Sequence, residues 1–125
     1  MLRRDALGHK AAAAAADVSK RDAVYAAIDH PEKELGGSDV IVNNAGIARV
    51  KPLADVISEE IERIFRINVD GLLRGIQAAA KKFKNRGQKG KTIKACSIVA
   101  HGGFAVPGVY SATRFAVSAL AQAAA

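Results

Sequence analysis

At 125 residues, half of them hydrophobic, the chain is long enough to bury one core and too short for two domains. Its formal charge of +7 invites a nucleic-acid reading, but lysine and arginine are dispersed. The one dense patch, 81–91, reads as the solvated end of a helix and a turn, where cations suit the negative end of the helix dipole, rather than as a base-stacking surface. No run of eighteen apolar residues and no signal-peptide pattern occurs, so neither nucleic acid nor membrane is an expected partner and the chain reads as soluble and intracellular. Cys96 is the single cysteine, which excludes an intrachain disulfide framework and suits a small buried residue. His9, His30 and His101 lack ligand-like spacing, so no metal site is expected.

In chain order, residues 1–8 read as the tail of a helix that stops at Gly8. Residues 9–16, mostly alanine, lie between that stop and the next start signal and read as a short buried strand. Ser19 with Asp22 resembles a capping box, and Val24, Ala27, Ile28 and Leu35 recur at helical spacing up to Gly36 and Gly37. Pro31 falls inside this helix and is expected to kink or interrupt it near His30. Residues 39–42 (DVIV) form a β-branched apolar run, as in a strand covered on both faces. The Asn43-Asn44-Ala45-Gly46 turn that follows is either an ordinary turn or the kind of close-approach backbone that open α/β sheets use for ligands.

Ser58 opens the next helix, whose apolar stripe runs through Ile61, Ile64, Phe65, Val69, Leu72, Leu73, Ile76, Ala80 and Phe83, as one long helix or two abutting ones. Asn68 interrupts the stripe with an amide that needs partners; it either caps or bends the helix, or points toward a site. Residues 92–96 read as a second apolar strand, and a helix carries Tyr110 onward. Tyr110 and Arg114, four apart, lie on one helix face, with Ser97 at the end of the preceding strand. The alternation implies an α/β fold with a doubly wound parallel sheet, a single domain spanning 1–125.

Taken together, NNAG at 43–46, Asn68, Ser97, and Tyr110 followed by a basic residue four later resemble the middle of a short-chain dehydrogenase/reductase. The flanking text ADVSKRDAVYAAI, FRINVDGLLRGIQAAAKKF and ACSIVAHGGFAVPGVYSATRFAVSAL is similar to the acetoin (diacetyl) reductases, or 2,3-butanediol dehydrogenases, within that family. The resemblance implies a Rossmann-like sheet, here lacking the first βαβ unit and the C-terminal strands, and an apolar surface exposed in consequence. It implies an NAD-dependent oxidoreductase interconverting a small ketone or diketone and its alcohol. In that scheme Tyr110 is the proton donor or acceptor, Ser97 holds the substrate oxygen, and Asn68 supports the helix bend and a water. Asp17 and Val18 lie by the adenine, Asn43, Ala45 and Gly46 line the cofactor cleft, and residue 114 binds the nicotinamide ribose and lowers the phenol pKa. The family has lysine where this chain has Arg114, and the glycine-rich phosphate turn is not among these residues. Both departures leave room for a noncatalytic, nucleotide-binding remnant. A cytoplasmic location and a homotetramer in the complete enzyme are the family's further implications.

Overall fold

The computed structural model describes residues 8–102 and 107–124. Its elements are helix α1 (Arg21–Leu35), strand β1 (Val40–Asn43), helix α2 (Ser58–Phe65), helix α3 (Gly71–Asn85), strand β2 (Lys91–Lys94) and helix α4 (Gly108–Ala123). Short 3-10 turns at Leu53–Asp55 and Ile98–Ala100 and a π turn at Arg66–Asp70 complete them. β1 and β2 pair in parallel, Val40 with Lys91 through Asn43 with Lys94, joined by the α2–α3 crossover. This is the α/β arrangement expected of part of a Rossmann-like sheet.

The alternation of a strand decides what each face meets. Ile41 and Asn43 turn toward α3 and are half-buried, whereas Val40, Val42 and Ile93 are exposed on the opposite face. The expectation that the first strand is covered on both faces is therefore corrected: α1 and α3 pack together on one side, and nothing among the described residues covers the other. The core on the covered side is small, centred on Val24, Ile28 and Ala78 with Val18, Tyr25 and Ile41 against them.

Other expectations change with the structure. Residues 9–16 form no strand; the sheet has two strands among the described residues and neither pairs with this stretch. The helix tail expected at 1–8 lies outside the described residues except for Gly8, which takes a left-handed φ of 69°. Ser19 does not cap α1: Lys20 is the N-cap and makes no side-chain cap bond, while the Ser19 N–H donates to Asp17 Oδ1 at 2.9 Å. Ser58 does open α2, as its first helical residue, with Ile57 as the N-cap. At the other end α1 stops as expected, on Gly36 at φ 85°. β2 ends at Lys94, so Cys96 lies beyond the strand and is exposed, its Sγ 3.5 Å from the Arg114 carbonyl.

Pro31 neither breaks nor ends α1, which runs unbroken through it to Leu35. Opposite it, on α3, lies the basic stretch expected to be solvated. Lys82 is instead buried, and its ammonium donates to the Ile28 carbonyl at 2.8 Å, in the turn where a proline opens the helical ladder. Glu32 Oε2 at 3.0 Å and Asp29 Oδ1 at 3.7 Å balance its charge. Lys82 thus serves as a clamp between the two helices, bonding backbone and carboxylates of α1 from a position on α3. Replacing it by uncharged methionine, one heavy atom shorter, removes the charge-assisted bonds to the Ile28 carbonyl and to Glu32. Lys82→Met is expected to cost about 1–3 kcal/mol in urea denaturation. Glu32 adds a pH signature, because its hydrogen bond from Lys82 holds its carboxyl below the usual glutamate range. A depressed folded pKa contributes stability that is full above the ordinary glutamate pKa and fades as pH falls through the lower folded value. The acid-side loss of urea midpoint is expected to be smaller in Lys82→Met than in the parent protein.

Candidate functional site

The site is built outward from a helical irregularity. Between α2 and α3 the Gly71 N–H donates to the Arg66 carbonyl, five residues back, which widens the helix by one residue. This π turn faces Asn68 inward, leaving it 1 % exposed. Its Oδ1 accepts from the Ile47 N–H at 2.8 Å and its Nδ2 donates to the Ile47 carbonyl at 2.8 Å. The second Nδ2 hydrogen goes to Thr113 Oγ1 at 3.1 Å. The pair of bonds to one residue's backbone fixes the amide's orientation, since a flipped amide would face donor to donor. Of the two alternatives for Asn68, bend or site, the structure gives both: it sits at the helix distortion and pins the segment that follows Gly46.

Helix α4 supplies the groups singled out by spacing. Its inward residues are Ser111, Thr113, Arg114 and Val117. Arg114 lies one turn beyond Tyr110, its guanidinium carbon 4.8 Å from the Tyr110 ring centroid. That is a cation–π distance. The guanidinium is 7 % exposed and donates from Nη1 to the Ala95 carbonyl at 3.2 Å. Its Nη2 is aimed at Gly46, where a β-carbon would stand 2.5 Å from it and 3.2 Å from Asn68 Oδ1. Gly46 is therefore a position where bare backbone is required by close approach. Arg114 Nε is buried and has no hydrogen-bond partner among the described residues.

Ser97 sits on the connection out of β2 as the N-cap of the Ile98–Ala100 turn, its Oγ accepting from the Val99 N–H at 3.4 Å. That turn packs against α4. Part of the glycine- and proline-containing loop between Ser97 and Tyr110, residues 103–106, lies outside the described residues. The structure thus gathers Tyr110, Arg114, Asn68 and Gly46 through direct neighbours, and brings the Ser97 turn against the same helix.

The remaining expected residues fall at the edges. Asn43, the last residue of β1, turns its amide onto Gly75 of α3, where a β-carbon would overlap Asn43 Oδ1, and its Nδ2 is buried without a partner among the described residues. Ala45 and Gly46 are exposed just past the strand's carboxyl end. Asp17 is exposed, and hydrogen bonds from Ser19, side chain first and backbone second, hold its carboxyl below the usual aspartate range. Val18 packs on Gly71, and its carbonyl accepts from Arg74 Nη1 at 3.3 Å. The Asp17–Val18 turn is thus tied to the helix immediately after the π turn. Three participants were not singled out from sequence: Ile47, Arg74 and Thr113. Ile47 and Arg74 act through or upon backbone and leave no sequence mark. Thr113 does leave one, since a hydroxyl three residues beyond Tyr110 in a helix can bond back to that residue's carbonyl, and it does so at 2.7 Å.

The family model described as short chain dehydrogenase matches residues 2–125. Over 121 residues the chain is 47% identical to L-2,3-butanediol dehydrogenase of Corynebacterium glutamicum, covering 97% of this chain and 47% of that protein. It is 44% identical over 118 residues to a diacetyl reductase [(S)-acetoin forming] of Staphylococcus epidermidis, covering 94% of this chain and 46% of the relative. Among solved structures, a gluconate 5-dehydrogenase of Burkholderia cenocepacia J2315, in complex with NADP and tartrate, superposes with a TM-score of 0.76 at 36% identity, over 86% of this chain and 42% of that one. The chain spans about half the length of the curated relatives it matches. With a family match across nearly all its residues and with the Rossmann-like pairing of its strands, the chain belongs to the short-chain dehydrogenase family.

Proposed function

We propose that this chain carries the proton-transfer half of a nicotinamide-dependent oxidoreductase site that interconverts a small ketone or diketone of the acetoin or diacetyl type and its alcohol. The observation that carries the reading is the stacked pair of Tyr110 and Arg114 on a helix locked to the π turn by Asn68 and Thr113. Its support from relatives is the similarity to butanediol dehydrogenase and diacetyl reductases. In the reducing direction the phenol of Tyr110 gives its proton to the substrate oxygen. In the oxidising direction it takes the proton back. The Ser97 hydroxyl, on the turn packed against α4, is assigned to hold the substrate oxygen.

The residues fit the nicotinamide end of a dinucleotide. Ala45 and Gly46 present exposed backbone past the carboxyl end of β1, where open α/β sheets bind their ligands, and the buried Nε of Arg114 has no partner among the described residues. Bound there, the cofactor supplies the hydride. Arg114 would hold its nicotinamide ribose, Asn43, Ala45 and Gly46 would line the cleft, and Asp17 with Val18 would border the adenine. NAD is the cofactor proposed. The same reading assigns a cytoplasmic location and a homotetramer, for which exposed Ile61, Leu73 and Phe115 on α2, α3 and α4 offer apolar contact surface.

A second reading rests on the same arginine. Its Nη1 is already spent on Ala95 and its Nη2 is pressed toward Gly46, so the cation is committed to backbone. A lysine's slim ammonium would leave the fork's volume free. This favours a site that binds nucleotide and turns over slowly or not at all. The two readings separate in one set of measurements on protein carrying this chain. With NADH and diacetyl or acetoin, and NADPH as the competing donor, the oxidoreductase reading expects turnover that falls about 10²–10⁴-fold in Tyr110→Phe. Turnover that survives this substitution excludes Tyr110 as the acid. NAD binding by calorimetry without any turnover supports the second reading.

The arginine's crowding yields its own prediction. Arg114→Lys is expected to raise turnover at least about tenfold, equivalent to about 1.4 kcal/mol of transition-state stabilisation. Gly46→Ala is expected to lower the urea midpoint by forcing the guanidinium out, at about 1–3 kcal/mol. That penalty should shrink in the Gly46→Ala, Arg114→Lys double variant, because the clash is with the fork. Equal penalties in both backgrounds would place the strain elsewhere.

A further inference from the structure

We propose that Thr113 is a positioning residue that fixes Tyr110 to the segment after Gly46 through Asn68; the turnover arm of its test rests on the function proposed above. Thr113 has 0 % exposure, and its hydroxyl is placed between two partners with opposite demands. It donates to the Tyr110 carbonyl at 2.7 Å and accepts from Asn68 Nδ2 at 3.1 Å. Asn68 in turn spends its other hydrogen and its oxygen on the Ile47 backbone. The result is one directed chain of hydrogen bonds, from the Ile47 N–H, through a single amide, through a single hydroxyl, to the first turn of α4, with one branch from the amide back to the Ile47 carbonyl.

A back-bonding threonine alone would be a local feature of one helix. What distinguishes this one is that its hydroxyl's lone pair is claimed by a side chain 45 residues away in sequence, inside a buried site. Both hydrogens of the Asn68 amide are then satisfied, and no water is needed to complete it. Valine at 113 matches the shape and removes both bonds. It leaves an amide hydrogen buried without an acceptor, so the π turn and α4 lose the tie that sets their relative position. Tyr110 carries its ring on the turn so released, while Arg114, anchored on Ala95, stays behind. The ring and the cation then no longer hold a fixed separation.

The chain's aromatic content makes this measurable without any turnover. It has two tyrosines and no tryptophan, so in a Tyr25→Phe background Tyr110 is the only strong fluorophore of these 125 residues. The experiment compares parent, Thr113→Val and Thr113→Ser in that background, with folding checked by circular dichroism. Acrylamide quenching of Tyr110 is expected to rise about twofold in the valine variant and to return to the parent value in serine, which restores both hydrogen bonds. Thr113→Ala, the better helix former, is the second probe should the valine protein not fold. Quenching that is the same in valine or alanine as in serine overturns the proposal. With NADH and diacetyl, the valine variant is expected to lose about tenfold in kcat with KM little changed, and serine to recover it. A parent protein that binds or turns over nothing while the quenching difference persists removes the enzymatic reading and leaves the positioning role standing. A KM effect with kcat untouched overturns it.

Discussion

Everything at the candidate site depends on one buried amide. Asn68 reads the Ile47 backbone as a neighbouring strand would, one N–H accepted and one carbonyl satisfied, and so replaces a missing stretch of sheet with a side chain. A polar group this deep costs several kcal/mol unless every hydrogen finds a partner. The geometry meets that demand only because the helix is widened by one residue at Arg66–Asp70. A regular α-helix through the same residues would rotate Asn68 away from Ile47, and the segment beyond Gly46 would lose its anchor. The π turn is therefore the local irregularity that a polar requirement imposes on an otherwise apolar stripe.

The apolar core would not hold this arrangement by itself. Val24, Ile28 and Ala78 form a small cluster, and full burial of an aliphatic side chain contributes only about 1.5–3 kcal/mol. Polar ties make the remaining connections between elements. Lys82 joins α3 to α1, Arg74 joins α3 to the Val18 and Ser19 carbonyls, Arg114 joins α4 to Ala95, and Asn68 joins the π turn to both Ile47 and α4. Three of these use a long cation that donates to backbone carbonyls. Such bonds are charge-assisted and stronger than neutral ones, and they tolerate small shifts in the elements they join because the side chains are long.

How much of this was legible in the sequence follows from which interactions leave a periodic mark. Helices α1, α3 and α4 and both strands announce themselves by spacing, and the one-turn relation of Tyr110 to Arg114 is fixed by helix geometry alone. The failures share a cause. Residues 9–16 were read as a strand because they lie between two signals, but a strand is defined by its partner, and pairing is non-local. Pro31 is expected to kink or interrupt α1 because the proline rule is local, whereas α1 runs on through it, packed on α3 and tied there by Lys82, 51 positions further along the chain. Lys82 itself looked solvated because charge type is a poor guide once a buried carbonyl needs a donor. Cys96 looked buried because the apolar run continues past the last ladder bond. At the site, the sequence pointed to Asn68 but could not say that Ile47 and Thr113 complete it.

Arginine at position 114 brings these threads together. A cation there is asked to do two things at once: to sit against a phenol and to leave room at Gly46. Burial makes the first demand effective, since the field of a charge is strongest where water is excluded. Burial also raises the cost of every unsatisfied guanidinium hydrogen, which drives the fork onto whatever acceptors are near. The Ala95 carbonyl is such an acceptor, and the lack of a β-carbon at Gly46 leaves room for the other arm. An ammonium in the same place has fewer directed hydrogens to satisfy and no plane to accommodate. The side chain that is electrostatically suited to the phenol is thus sterically drawn into the backbone around it, and the balance between those two tendencies determines whether this helix face presents a proton donor or a sealed core.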